Sequence, residues 1–376
     1  MQIIPIASGK GGVGKSLLSA NLAVALGQAG KKIVLVDLDL GASNLHLAIG
    51  QPTPKVGIGT FLTGETKFDD IILPTDYDNV RFIAGDSEIP GLSALKIYQK
   101  NLLIKSFNSL DADYIILDLG AGTHLTILDL FLLSPQGIVV TAPTVTATLN
   151  GYLFLKNAVF RLMATTFKKG SKAAAYLEKL RADSSQLQRL YIPKLIEAVA
   201  AVDPASAKKF SDKMSLFRPR LVLNQISEPK DADKALRIRR SCQTYLGLDL
   251  EHLGIMYHDS LQDKALASKI PIISYKQNSM LSQAVYRIAE KILQSEATHF
   301  ADNDVSDSYD LAIEEAADDY ASKLSYVEDL LGSGTFTVAE LAETIKTQQY
   351  EMTQLRNENI MLKSRLVKAA KQGYKV

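Results

Sequence analysis

"SGKGGVGKSLLSAN", residues 8–21, lies between a short apolar run, IIPIA, and a stretch, SLLSANLAVALGQAG, whose apolar residues fall at helical spacing and stop at Gly30. Gly9, Gly14, Lys15 and Ser16 match the spacing G-x-x-x-x-G-K-[ST]. The physical content of that spacing is a backbone turn. Glycines let successive N–H groups point into one concavity that holds phosphate oxygens, and the helix behind adds the positive end of its dipole. In such a loop Lys15 reaches the β- and γ-phosphates and the Ser16 hydroxyl holds Mg2+. A strand before and a helix after are the context the motif requires. A second lysine, Lys10, has no place in the minimal pattern and needs its own explanation.

Further along, short apolar runs read as buried strands of a parallel sheet: KIVLVDLDL (32–40), VRFIAG (80–85), YIILDLG (114–120), GIVVTAP (137–143) and RLVLNQI (220–226). Helical patterns at 96–110, 123–133 and 147–163 fall between them. This alternation predicts an α/β fold with a doubly wound, mostly parallel sheet. Residues 164–217 are helical in pattern and delay the next strand by about fifty residues, too long for an ordinary connection, so they read as a helical insertion.

The chain has 376 residues, enough for one large α/β domain with appendages. A net charge of +1 names no partner in bulk, but the charge is unevenly placed. Residues 296–333 carry eleven acidic side chains against one basic, and residues 334–376 carry seven basic against four acidic. The expected organisation is a mildly basic α/β body over 1–295, an acidic solvated linker over 296–333 with a short helix around 309–331, and a C-terminal helix over 334–376. One cysteine, Cys242, excludes an internal disulfide and a cysteine metal cluster. With no signal peptide in the first residues and no apolar run of membrane-spanning length, the expected location is the cytoplasm, with a peripheral position at the inner face of the membrane as the variant.

Three acids stand at predicted strand ends, where ligands of open α/β sheets collect. Asp37 and Asp39 close VDLDLG, and either can act on Mg2+ or on an attacking water. Asp118 follows four apolar residues in YIILDLGAG, the placement of a Walker B aspartate that serves Mg2+. Gly120 and Gly122 behind it allow backbone to approach a γ-phosphate. Asn224 ends another strand, where its amide suits a purine edge; Ser227 stands where a guanine-specific site would place an aspartate, which leans towards adenine. His46 has no metal partners in spacing, and Lys230, Lys234, Arg237, Arg239 and Arg240 read first as a solvated helix face.

With its front lysine, KGGVGKS resembles the deviant Walker A box of the MinD/ParA family of P-loop ATPases. VDLDLGASNLHLAIG is similar to that family's switch I, LDLGAGT to its Walker B and switch II, and LGIMYHDSLQDKALASKIPIIS to its C-terminal stretch. The resemblance covers about residues 1–295. It implies ATP and Mg2+ as ligands and ATP hydrolysis as the reaction. It also implies an ATP-dependent homodimer in which Lys10 reaches the phosphates bound by the other subunit. The nucleotide-binding stretch would be Gly9, Lys10, Gly11, Gly12, Val13, Gly14, Lys15, Ser16 and Leu17, with Asn224 at adenine. Asp39 would handle the attacking water, and Ser16, Asp37 and Asp118 would serve the metal.

Within the family, D-x-D-x-G-x-x-N-L-H together with the helical insertion is most similar to the FlhG (FleN) branch. That implies control of flagellar number or placement through a protein partner, a flagellar assembly factor. The sequence opens directly on the first strand, which counts against stimulation of the flagellar GTPase FlhF. It also lacks the bulky amphipathic membrane helix of MinD, so at most weak attraction to anionic membranes is expected. A ParA-like ATPase that partitions DNA or cargo, and a MinD-like division-site regulator, are the alternatives. In the tail, Leu341, Ile345, Gln348, Met352, Leu355, Asn359, Leu362 and Leu366 alternate spacings of four and three, a heptad seam that predicts a two-stranded coiled coil; a lone docking helix is the alternative.

Overall fold

The computed structural model describes residues 1–40, 43–85, 95–182, 191–297 and 307–332. Eight strands form one sheet: β1 (Gln2–Ser8), β2 (Ile33–Leu38), β3 (Ile72–Pro74), β4 (Val80–Ile83), β5 (Tyr114–Ala121), β6 (Ile138–Thr141), β7 (Arg220–Ile226) and β8 (Glu251–Tyr257). Their spatial order is β3-β4-β2-β5-β1-β6-β7-β8. Only β3 runs antiparallel, against β4. The sequence reading of a doubly wound, mostly parallel α/β sheet with a helical insertion holds.

The order explains where a ligand must go. From β1 the chain moves to one flank of β1 (β2, β4, β5) and then crosses to the other (β6, β7, β8). β1 thus marks the topological switch point, and the crevice beyond its carboxyl end is where such sheets bind. The loop 8–16 occupies that end and feeds α1 (Lys15–Gln28). This helix lies under the sheet with Leu18, Leu22, Val24 and Leu26 at 0–1% exposure, so the loop is anchored on both sides by rigid elements. The central strands are apolar on both faces because helices cover both, as a parallel sheet requires.

The remaining helices of this part are α2 (Leu45–Ala48), α3 (Ile58–Leu62), α4 (Ile97–Phe107), α5 (Leu125–Phe131) and α6 (Val145–Thr166). At 22 residues, α6 spans about 33 Å at the α-helical rise, and it continues into the insertion. The insertion consists of helices Lys172–Ala182, Ile192–Val202 and Pro204–Leu216. Asp203 starts the last of these by accepting the Ser206 N–H at 3.1 Å. Phe210 ties it back through a ring contact with Phe167 at 6.1 Å.

Two features differ from the sequence reading. First, β3 and β8 are additional strands. β3 has only three residues and ends on a proline. β8 carries Gly254 and His252 inside a strand, which breaks the apolar run; Gly254 is needed because a Cβ there would come within 2.7 Å of Ile288. Second, the acidic segment is not all linker. The first compact unit runs from Met1 to Asp318, ending inside the helix Asp307–Gly332. Tyr309, Ala312 and Ala316 are buried. The Tyr257 hydroxyl donates to the Ala316 carbonyl at 2.7 Å, and Glu315 pairs with Lys291 at 2.7 Å. Its apolar stripe is made largely of alanines, so the charge count masked it. The second unit begins at Asp319. The coiled-coil expectation for 334–376 lies outside the described residues. Among those described, no helix is long and apolar enough to cross a membrane.

Candidate functional site

The loop after β1 is built by backbone geometry that its sequence permits. Gly12 and Gly14 have φ of 79° and 87°, values that favour glycine, and no cis peptide is present among the described residues. Gly9 faces α6 so closely that a Cβ would lie 2.0 Å from the Asn150 carbonyl oxygen. By contrast, Gly11, Gly12 and Gly122 have nothing within 4 Å of a built Cβ. They leave an open cradle at the end of β1, the room that phosphate needs. Gly122 also donates its N–H to the Ser8 carbonyl at 3.0 Å, which joins the two glycine loops.

Charged groups meet beneath the cradle. Lys15 Nζ lies 2.7 Å from Asp118 Oδ1 and 3.2 Å from Ser16 Oγ. Both partners of the ion pair are buried, at 7% and 1% exposure. Ser19, one helical turn after Lys15, donates its hydroxyl to the same Asp118 oxygen at 2.9 Å. Asp37 is the direct neighbour of Asp118 across the β2–β5 pairing. Its Oδ1 accepts the Asp39 N–H at 3.0 Å, and its Oδ2 accepts the Ser43 hydroxyl at 2.7 Å and the Leu45 N–H at 3.2 Å. Burial, and then the Asp118 carboxylate, push the Asp37 carboxyl up to about 7, against the opposing pull of the bonds from Ser43, Asp39 and Leu45. The Asp39 side chain extends over β5, where a Cβ on Gly120 would be 3.2 Å from its Oδ1.

The two lysines occupy different environments. Lys15 is enclosed, whereas Lys10 is exposed and donates to Thr146 Oγ1, at the start of α6, at 3.1 Å. Thus Lys10, Lys15, Ser16, Asp37, Asp39 and Asp118 lie on β1, β2 and β5 or the loops at their carboxyl ends. Leu17 is half-buried behind them, and Val13 packs into the core.

Two residues make contacts that the sequence could not show. Asn224 is 2% exposed, its Nδ2 donates to the Val13 carbonyl at 2.9 Å, and its Oδ1 accepts the Gln225 N–H at 2.8 Å. Both ends of the amide are committed to the protein backbone. Asp37, fully buried, braces Asp39, Ser43 and Leu45 through three hydrogen bonds to its carboxyl. Sequence reading missed Ser19, Ser43 and Gln225. The i, i+4 relation of Ser19 to Lys15 was the available signal for the first.

Whether Mg2+ fits can be judged from the donors. Among the described residues no group of three His, Cys, Asp or Glu side chains is arranged to hold a metal. A Mg2+ held by substrate phosphates, waters and one hydroxyl needs no such group, and Ser16 Oγ beside the open cradle suits that arrangement.

A groove of about 630 Å3 runs between α6 and the helix Asp233–Ser241. Leu149, Leu153 and Ile238 line it, and Lys156, Lys234 and Arg237 supply basic groups along it.

Comparison with known proteins follows the same lines. The model of the CobQ/CobB/MinD/ParA nucleotide-binding domain matches residues 4–274. Antiactivator FleN of Pseudomonas aeruginosa is 28% identical over 158 residues, 42% of this chain and 56% of that protein. Flagellum site-determining protein YlxH of Helicobacter pylori is 36% identical over 161 residues, 41% of this chain and 53% of that protein. The chain therefore spans little more than half the length of these curated relatives. The septum site-determining protein MinD from Pyrococcus horikoshii, solved with Mg-ADP, superposes with a TM-score of 0.53 at 23% identity, covering 80% of this chain and all of that one. A putative plasmid partition protein from Borrelia burgdorferi, bound to AMPPNP, gives 0.52 at 18% identity over 78% and 99% of the two chains. These structural likenesses show a shared fold. With the domain match spanning most of the chain and the lysine pair seated at the switch point of the sheet, this chain belongs to the MinD/ParA family of P-loop nucleotide-binding proteins.

Proposed function

We propose that this chain is an ATP-hydrolysing switch that forms a dimer with ATP and governs flagellar number or placement. The observation that carries the proposal is the division between the two lysines. Lys15 is held inside the site by Asp118, ready to exchange that carboxylate for phosphate, while exposed Lys10 lies outside it, hydrogen-bonded to Thr146 at the start of α6. A buried cation serves the nucleotide of its own chain; an exposed one at the mouth of the cradle can serve that of a second copy. Charge supplied in trans stabilises the γ-phosphoryl transition state and couples turnover to assembly.

In hydrolysis, a water oxygen attacks the γ-phosphorus and the bond to the ADP oxygen breaks; one water hydrogen stays on the phosphate, the other is released to solvent as a proton, and ADP and phosphate leave. Asp39 orients that water and accepts its hydrogen bond. Mg2+, held through Ser16 with Asp118 behind it, would neutralise charge on the β- and γ-oxygens. Asp37 fixes the loop that carries Asp39. The flagellar part of the reading rests on the two curated relatives, FleN and YlxH. The partner's place is the groove beside α6. Its apolar floor and the basic groups at Lys156, Lys234 and Arg237 suit a protein segment with apolar anchors flanked by acids. Exposed Lys230, Arg237 and Arg240 favour a second reading, a ParA-like contact with DNA, which salt-dependent retention on DNA would reveal.

The test is to follow phosphate release and mass together. Mg2+-dependent release, with assembly greater in ATP than in ADP, is the expected result. No release and equal assembly in both nucleotides would refute the switch.

A further inference from the structure

We infer that Asn224 and Gln225 form a latch that holds the P-loop amides turned towards phosphate before any nucleotide arrives. The inference rests on the phosphate-binding reading of the loop and assigns two positioning residues to it.

Two consecutive loop carbonyls are held from the end of β7. The Val13 carbonyl accepts Asn224 Nδ2 at 2.9 Å, and the Gly12 carbonyl accepts Gln225 Nε2 at 3.1 Å. In a trans peptide the C=O and the following N–H point in opposite directions. Drawing the Gly12 and Val13 carbonyls towards β7 therefore turns the N–H groups of Val13 and Gly14 the other way, away from β7. These N–H groups flank the open cradle at Gly11 and Gly12. Left-handed Gly12 and Gly14 on either side of Val13 give the alternation that makes a concave anion nest.

The latch is itself fixed. The Gln225 N–H donates to Asn224 Oδ1 at 2.8 Å, so the amide nitrogen of Asn224 must be the end that faces Val13. Gln225 adopts φ of 62°, a left-handed conformation that non-glycine residues seldom take, and from it the side chain reaches Gly12. The contact is tight: a Cβ at Gly14 would lie 2.0 Å from Asn224 Nδ2. Gly14 is thus constrained twice, by its φ and by this approach. The arrangement prepares the loop for the anionic part of any nucleotide.

Gln225→Met keeps side-chain length and removes the donor; Asn224→Ala removes the buried donor. Fluorescent ADP and GDP analogues are titrated against both variants, with inorganic pyrophosphate as competitor. The latch predicts that ADP, GDP and pyrophosphate all weaken by the same factor, about ten-fold for Asn224→Ala, which loses the bonds to Val13 and from Gln225, and about three-fold for Gln225→Met, which loses one exposed bond. Gln225→Met should melt at the wild-type temperature, so it carries the test if Asn224→Ala fails to fold. Wild-type affinity in Gln225→Met, or a loss confined to ADP that erases the ADP/GDP preference, would overturn the latch. If the wild-type chain itself binds neither nucleotide nor pyrophosphate, the phosphate-binding reading fails, and that outcome is distinct from failure of the latch alone.

Discussion

Lys15→Met tests the buried charge cluster most sharply. In the nucleotide-free chain it removes the cation that faces Asp118 at 2.7 Å and leaves Asp118 and Asp37 side by side on neighbouring strands. Breaking a buried ion pair from one side costs about 3–5 kcal/mol, because the remaining charge has lost its compensation. Ser19 still donates to Asp118 but carries no charge, so it offsets little of that cost. Asp118→Asn alone strands the Lys15 ammonium instead, yet it also removes the like charge beside Asp37, so its cost should fall nearer 2 kcal/mol. The double variant leaves no unpaired charge at these two positions and should lie within about 1–2 kcal/mol of wild type, a coupling of about 3–6 kcal/mol. Urea denaturation of the four proteins without nucleotide, at one pH above 7.5, measures it. Titration of the same proteins with a fluorescent ATP analogue should show that the double variant, although refolded in stability, does not recover binding. Costs that add to within about 0.5 kcal/mol would refute the claim that Lys15 and Asp118 act as a pair.

Asp39→Ala should bind Mg-ATP and accumulate as the assembled form, with phosphate release lost; a variant that stays unassembled and turns over normally would exclude Asp39 from handling the water. Asp37 and His252 predict pH effects of opposite sign. The folded carboxyl of Asp37 holds its proton up to about 7, so its contribution to stability declines as pH rises from the ordinary carboxylate value to 7, and Asp37→Asn should gain on wild type over that range. Burial, and then nearby Arg239, push His252 down to about 4, so its unfavourable protonation lowers stability as pH falls from about 6.5 to 4, and His252→Leu should gain on wild type there. Melting temperatures of each variant minus wild type across pH 4–8, on the order of these two windows, decide both; differences that do not vary with pH would contradict the assigned burial.

What was legible in the sequence follows from how locally each feature is encoded. The P-loop is nearly all local: Gly12 and Gly14 are required by their own φ, and Lys15 and Ser16 by what they touch. Six strands were visible because burial on both faces leaves continuous apolar runs. β8 was not assigned as a strand because Gly254 answers to Ile288, a residue 34 positions away in the chain, and His252 meets Tyr309 edge to face at 5.0 Å. The docked start of the acidic helix escaped because Ala312 and Ala316 bury little apolar surface each and stand among carboxylates. Asn224 was placed correctly at a strand end. Its orientation is set by Val13, 211 positions earlier, and no local pattern carries that information. Position relative to the sheet is therefore readable, whereas the direction of a polar side chain depends on partners that only the fold assembles.

The central claim is that Lys10 acts on a nucleotide held by another copy. Phosphate release per chain, measured for wild type and Lys10→Ala over a range of protein concentrations at saturating Mg-ATP, tests it most directly. The account predicts that the wild-type rate per chain rises with protein concentration, and that Lys10→Ala binds ATP normally but turns over at least ten-fold more slowly, about 1.4 kcal/mol of lost transition-state stabilisation. A wild-type rate in Lys10→Ala would contradict it.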